Sequence, residues 1–94
     1  MTTSQDNILL AKQFGMIFTE YYSVVKYFAF MLLKSEEDAK DITQDVFTKL
    51  WTKPELWTEV PNPTPYIYTL TKSTTLNFIK HKKSRIWLIR EKNL

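Results

Sequence analysis

The sequence predicts an all-α fold, a compact bundle of three main helices, and three observations carry that expectation. A single glycine, Gly15, occurs in 94 residues. All four prolines, Pro54, Pro61, Pro63 and Pro65, fall within residues 54–65. On either side of that window apolar residues recur three and four positions apart, the period of a helix with one buried face. A β-rich chain needs turn residues spread along its length, and here they are confined to one connection. With 44% apolar and 15% aromatic residues, the chain has the hydrophobic mass for one core and too little length for a second.

The first helix is expected over residues 7–33. Leu10, Phe14, Ile17, Phe18, Tyr21, Val24, Val25, Phe28 and Leu32 form its core-facing set, and Lys34 follows where the helix dipole favours a cation. The second helix spans residues 35–53. Ser35 is its N-cap, Asp38 three positions on completes a variant of the capping box, and Glu36 and Glu37 sit in the favourable first turn. Pro54 disfavours helix at Lys53 and so sets the end. Residues 54–65 read as an irregular, proline-stiffened loop with at most a short turn. The third long helix runs over 64–85, with Thr64 as N-cap and Pro65 at its first position. Its core face is Ile67, Leu70, Thr71, Thr74 and Phe78. The tail 86–94, with Ile86, Trp87, Leu88 and Ile89, can extend this helix but has no evident core to meet.

Charge is distributed unevenly. Residues 1–71 carry nine acids and six bases, whereas residues 72–94 carry seven bases and one acid. Five of the ten acids, Glu36, Glu37, Asp38, Asp41 and Asp45, lie within ten residues. The middle of the chain therefore offers an acidic surface to a basic partner, and the end offers a basic surface to a polyanion. Several function classes fall away. Without cysteine there is no disulfide framework or thiolate chemistry. His81, the only histidine, lies in a lysine cluster with no acid or nucleophile at helical spacing. Asp41 and Asp45 share a face with no histidine beside them, so neither a metal site nor an acid–base pair is expected. No glycine-rich phosphate loop exists, and no cofactor is expected. The N-terminus lacks a signal-peptide pattern, and the longest apolar run, residues 27–33, is too short for a membrane span. A cytoplasmic protein without enzymatic activity is the expectation.

Two surfaces carry the functional content. On the second helix, Ala39, Ile42, Val46 and Leu50 form a core stripe, while Asp41, Gln44 and Asp45 lie on another side, with Phe47 and Trp51 between. Such a pattern is either a solvated face whose rings pack on the first helix, or a docking face with an aromatic anchor rimmed by acids. On the third helix, Tyr68, Lys72, Thr75, Leu76, Ile79 and Lys83 share a face, with Ser73 and Lys80 just beyond. Lysines neutralise phosphates, aromatics stack on bases, and hydroxyls or Asn77 bond base edges, so this face suits nucleic acid, and Lys80–Arg85 adds a basic cluster. The alternative is a solvated helix end. Trp57, Thr58, Glu59, Asn62 and Thr64 form a polar rim beside it that can hold an extruded base.

These residues resemble region 2 of the bacterial sigma-70 superfamily, closest to its extracytoplasmic-function (ECF) group. The stretch EDAKDITQDVFTKLW, residues 37–51, is similar to the family's second-helix signature. PYIYTLTKSTTLNFIKHKKSR, residues 65–85, is similar to its promoter-recognition helix, and FGMIFTEYYSVVKYFAFMLL, residues 14–33, follows the first helix in pattern only. The resemblance implies that Asp41, Gln44 and Asp45, with Phe47 and Trp51 as apolar neighbours, dock on the coiled-coil of the RNA polymerase β′ clamp. It implies that the third helix and preceding loop recognise the −10 promoter element and hold the melted non-template strand. Trp57, Asn62, Tyr66, Tyr68, Lys72, Ser73, Asn77, Lys80, Lys83 and Arg85 are the expected DNA-facing residues. Residues 1–11 form a lead-in, 12–85 the region 2-like domain, and 86–94 the start of an interdomain linker. The family's second, helix-turn-helix domain is absent from this chain. Two departures stand out: Ser73 replaces the usual Asn, and Thr71 the usual Ala. An anti-sigma factor is the further implied partner. The competing expectation is a helical adaptor or anti-sigma-like module that uses the acidic helix without touching DNA.

Overall fold

In the computed structural model, which describes the backbone of residues 4–92 and the side chains of residues 8–82, four helices follow one another. They are α1 (Ser4–Leu33), α2 (Glu36–Thr52), α3 (Glu55–Thr58) and α4 (Thr64–Lys92). The bundle is all-α, as its sequence pattern requires. α1 packs against both α2 and α4, and α2 packs against α4. α1 begins three residues earlier than expected, the proline-rich loop contains the short α3, and α4 continues as helix through the tail to Lys92.

Local chemistry explains each junction. Lys34 takes a left-handed conformation (φ 56°) and its N–H returns to the Phe30 carbonyl at 2.7 Å, which closes α1. Ser35 then caps α2, its hydroxyl accepting from the Asp38 N–H at 3.2 Å. At the other end of α2 the Leu50 carbonyl would bond the N–H of residue 54, but that residue is proline. The Trp57 indole N–H supplies the missing donor at 2.7 Å. This bond anchors α3 under α2. α4 starts where the Asn62 side-chain oxygen accepts from the Thr64 N–H at 3.1 Å and the Pro63 carbonyl accepts from Ile67 at 3.0 Å. Asn62 therefore performs the capping role expected of Thr64. The Thr64 hydroxyl is instead bonded to the Tyr21 hydroxyl and ties α4 to α1.

The core consists of Val25 and Ala29 from α1, Ala39, Ile42, Val46, Phe47 and Leu50 from α2, Trp57 from α3 and Ile67 from α4. Leu10, Phe14, Ile17, Tyr21, Leu70 and Phe78 pack around it. Phe18, Val24 and Leu32, expected in the core, are exposed, because α1 is covered by two helices on one side only. That same one-sided cover leaves Ile8–Leu33 as a segment long and apolar enough to cross a membrane by composition, with mean hydropathy 1.2. Val25 and Ala29 nonetheless make it the central helix of this bundle. Threonines fill the α4 contact: Thr71 and Thr75 are fully buried, as is Thr43 of α2. Each hydroxyl bonds the carbonyl four residues back at 2.7 Å, so none of these three buried hydroxyls lacks a partner. Thr75 thus belongs to the core and not to the outer face of α4.

Candidate functional site

α2 brings its two kinds of side chain to one ridge. Asp41, Gln44 and Asp45 are exposed along it. Phe47 is only 3% exposed, whereas Trp51 is 47% exposed. Both rings do pack on α1. Phe14 meets Trp51 at 5.0 Å between centroids and Phe47 at 6.3 Å, edge to face, and Phe18 lies 4.9 Å from Phe47. Packing leaves a groove of about 540 Å³, with Phe14, Phe18 and Phe47 as its floor and Gln44, Thr48 and Trp51 on its α2 side. On the other flank of the same ridge Asp41, Gln44, Asp45 and Thr48 face Phe78 of α4 across a hollow of about 360 Å³. α2 is therefore an exposed polar ridge with an apolar groove on one side and carboxylates on the other. Asp45 pairs with Lys49 at 3.6 Å, both about half exposed, a contact of at most about 1 kcal/mol that a partner can displace.

α4 turns Tyr68, Lys72, Ser73, Leu76, Asn77 and Lys80 outward, and Tyr66 is half-buried at the start of the helix. The buried set Ile67, Thr71, Thr74 and Thr75 fixes this rotation. Tyr68 stands 6.4 Å from Phe28, edge to face, at the α1 margin. The Ser73 hydroxyl donates to the Leu70 carbonyl at 3.3 Å, which leaves its lone pairs as the polar function it offers outward. Lys82 departs from its basic neighbours. It turns back to Asp38 of α2 at 3.2 Å and lies 5.8 Å from the Phe78 ring centroid. The side chains of Lys83 and Arg85 lie outside the described residues.

The loop differs from its expectation in one important respect. Trp57 is 4% exposed and its N–H is spent on Leu50, so it is a core residue and offers no ring face to a base. Asn62 is exposed but shapes the start of α4. One concavity that the loop helps to form lies between α2, α3 and α4. Lys49, Thr52, Lys53, Leu56, Tyr66 and Leu70 enclose about 320 Å³, at the small end of the usual range for small-ligand pockets, which begins near ~300 Å³. Sequence reasoning named only Tyr66 of these as a site residue. The available signal was the pair Lys49 and Lys53, four apart at the end of α2 and so on one side of it. The Lys49 ammonium also bonds the Thr74 hydroxyl at 3.3 Å, which links the pocket wall to α4.

The family model for sigma-70 region 2 matches residues 17–85, most of the chain and all of α2, α3 and the face of α4 just described. The chain belongs to the sigma-70 region 2 family. No curated protein and no solved structure matches it. Membership gives a sigma-factor-like role in transcription initiation, exercised by binding RNA polymerase core and promoter DNA.

Proposed function

We propose that this domain is region 2 of an ECF-group sigma factor, acting in the cytoplasm, that docks on the β′ clamp coiled-coil through α2 and captures the −10 element through α4. The observation that carries the reading is the exposed ridge of α2: its carboxylates and amide stand in solvent while an unfilled apolar groove runs beside them. A helical partner with basic residues satisfies both. Asp41, Gln44 and Asp45 take its polar contacts, and Trp51, with Phe47 beneath, takes its apolar ones. Lys72, Ser73, Asn77 and Lys80 face the non-template strand, with Tyr66 and Tyr68 at the melting edge and Lys83 and Arg85 continuing along the phosphates. The cavity between Lys49, Lys53, Tyr66 and Leu70 receives an extruded base. Apolar walls and two cations offset the few kcal/mol that unstacking costs. Contacts to melted DNA favour the open complex, and their ionic part makes affinity fall with salt. Residues 12–85 form the functional unit and 86–94 lead toward an interdomain linker. An anti-sigma factor acts by covering the same α2 surface.

The test is calorimetry of this domain with the isolated β′ clamp coiled-coil, beside an Asp41→Ala/Gln44→Ala double variant of unchanged melting temperature. The expected result is binding that the double variant loses by at least tenfold. No binding at sub-millimolar concentration rejects the sigma reading of α2. Intact polymerase binding combined with no measurable binding to a −10 oligonucleotide, and with promoter-directed transcription that Lys72→Glu/Lys80→Glu leaves unchanged, favours an adaptor that does not touch DNA.

A further inference from the structure

The cavity between α2, α3 and α4 combines apolar walls with an unequal set of polar groups. Leu56 and Leu70 supply the walls, and Tyr66 adds a half-buried ring. The α2 side contributes Lys49, Thr52 and Lys53. Thr52 donates its hydroxyl proton to the Thr48 carbonyl at 2.7 Å, so it offers a ligand lone pairs only. An ammonium carries three protons and no lone pair, so Lys49 and Lys53 act only as donors. Lys49 is held in place. Its ammonium bonds the Thr74 hydroxyl at 3.3 Å and lies 3.6 Å from the Asp45 carboxylate, which leaves one proton for the cavity it lines. Thr74 is itself buried, so that anchor is fixed. Lys53 stands one turn further along, exposed at the C-terminal end of α2. Two cationic donors one turn apart therefore border one apolar hollow.

We infer that this cavity selects guanine or cytosine over adenine and thymine, with Lys49 and Lys53 as the specificity-determining residues. The inference rests on the base-capture reading above and names the class of base captured. The four bases differ in how their acceptors are spaced. Guanine holds O6 and N7 side by side, and cytosine holds O2 and N3 side by side, so ammonium donors can take both atoms of a pair at once. In adenine the N6 amino group separates N1 from N7 and sets its own protons against an ammonium. In thymine the N3–H stands between O2 and O4. Every base carries an N–H, so Thr52 and the Tyr66 hydroxyl accept from all four and do not discriminate. The choice therefore falls to the lysines. Because Lys49 is about half exposed, the preference lies at the low end of the range for base-edge contacts, about fivefold.

The experiment measures fluorescence anisotropy of the full chain with short labelled DNA single strands. One strand is abasic throughout, and the others carry a single central adenine, cytosine, guanine or thymine. The expected result is tighter binding of every base-bearing strand than of the abasic one, with guanine and cytosine about fivefold above adenine and thymine. Lys49→Gln removes the charge but keeps a donor for Thr74, and Lys53 is exposed, so Lys49→Gln and Lys53→Gln are expected to melt like the parent. Each should flatten the ratio between bases, a readout that a purely structural role does not move. 7-Deazaguanine, which lacks N7, should bind like adenine, and guanine-level binding by it overturns the paired-acceptor argument. If no base-bearing strand binds above the abasic one, capture in this cavity is rejected and the selectivity falls with it. If all four bases bind equally above the abasic strand, capture stands and the selectivity is rejected. A guanine and cytosine preference that both glutamine variants retain overturns the role of the lysines.

Discussion

The two interfaces of α1 and α2 with the rest of the bundle are built on opposite principles. Along the α1–α2 seam, Phe14, Phe18, Tyr22, Phe47 and Trp51 meet as rings at 4.9–6.3 Å, many of them tilted or edge-on. Rings in these arrangements hold the helices apart, and the space left beside them is a groove. Against α4 the residues are small. Thr43, Thr71 and Thr75 fold their hydroxyls back on their own helices and present methyl groups, so the helices close on one another at these buried positions, and the hollows beside α4 lie at the margins of the seam. A seam of rings leaves a surface for another protein, whereas a seam of threonines fixes a helix. The fixed helix is the one whose rotation determines which lysines, Lys72 and Lys80 among them, face outward.

The comparison is broken most severely at Trp57, where the loop joins both seams. Trp57→Ala removes a buried indole and leaves the Leu50 carbonyl without a donor, because Pro54 cannot replace it. A loss of about 3–5 kcal/mol is expected in urea unfolding. Trp57→Phe keeps much of the ring and loses the bond, so it should cost about 1–3 kcal/mol. Equal losses would show that the bond accounts for the cost and the buried ring adds nothing, whereas a negligible loss for Trp57→Phe would show that the bond contributes nothing.

The threonine seam is tested by volume. Thr75→Leu forces extra methylenes into a fully buried site and should cost about 1–3 kcal/mol. Thr75→Val keeps the shape, and the Thr71 carbonyl retains its helical N–H partner, so a change of at most about 1 kcal/mol is expected. Thermal melting of the pair separates packing from hydrogen bonding. A tolerated leucine would mean that this seam is as loosely filled as the aromatic one.

The rotation of α4 makes an electrostatic prediction. Lys80 faces outward and Lys82 faces Asp38, although both lie in one basic run. Lys80→Ala should reduce the salt dependence of binding to a single-stranded promoter oligonucleotide by about 0.7 in log–log slope, the share of one phosphate contact. Lys82→Ala should leave the slope unchanged and lower stability by at most about 1 kcal/mol, since the pair is largely exposed on the lysine side. Matching slopes for the two variants would place both lysines on DNA.

These contrasts also show what the sequence could reveal. The helical class, the capped start of α2 and the stripe Ala39, Ile42, Val46 and Leu50 were legible, because period and capping are local. The exposed set of α2 was legible for the same reason. Trp57 was misplaced on a polar rim because its partner is the carbonyl of Leu50, seven residues back, which only the turn at Pro54 brings near. Thr75 was misplaced because a buried threonine and an exposed one look alike until a neighbouring helix covers it. Lys82 was read as one of a run of cations, and its turn toward Asp38 crosses 44 positions of sequence. The pocket at Lys49 and Lys53 was missed because its walls come from three helices.

The smallest effect bears on the aromatic seam alone. Gly15 lies in the interior of α1, where glycine costs about 0.5–1 kcal/mol relative to alanine through backbone entropy. A Cβ built there meets no atom within 4 Å, so the methyl group displaces nothing. Gly15→Ala should therefore raise stability by about 0.5–1 kcal/mol, read as an increase in urea midpoint at constant m-value. Gly15 follows Phe14 directly, so the same variant samples the edge of the groove. Unchanged polymerase affinity is expected, because the groove is lined by Phe14 and Phe18 and not by Gly15. A more stable protein that binds more weakly would mean that the partner helix lies across Gly15, and the docking surface would have to be drawn further around α1 than the rings of the seam.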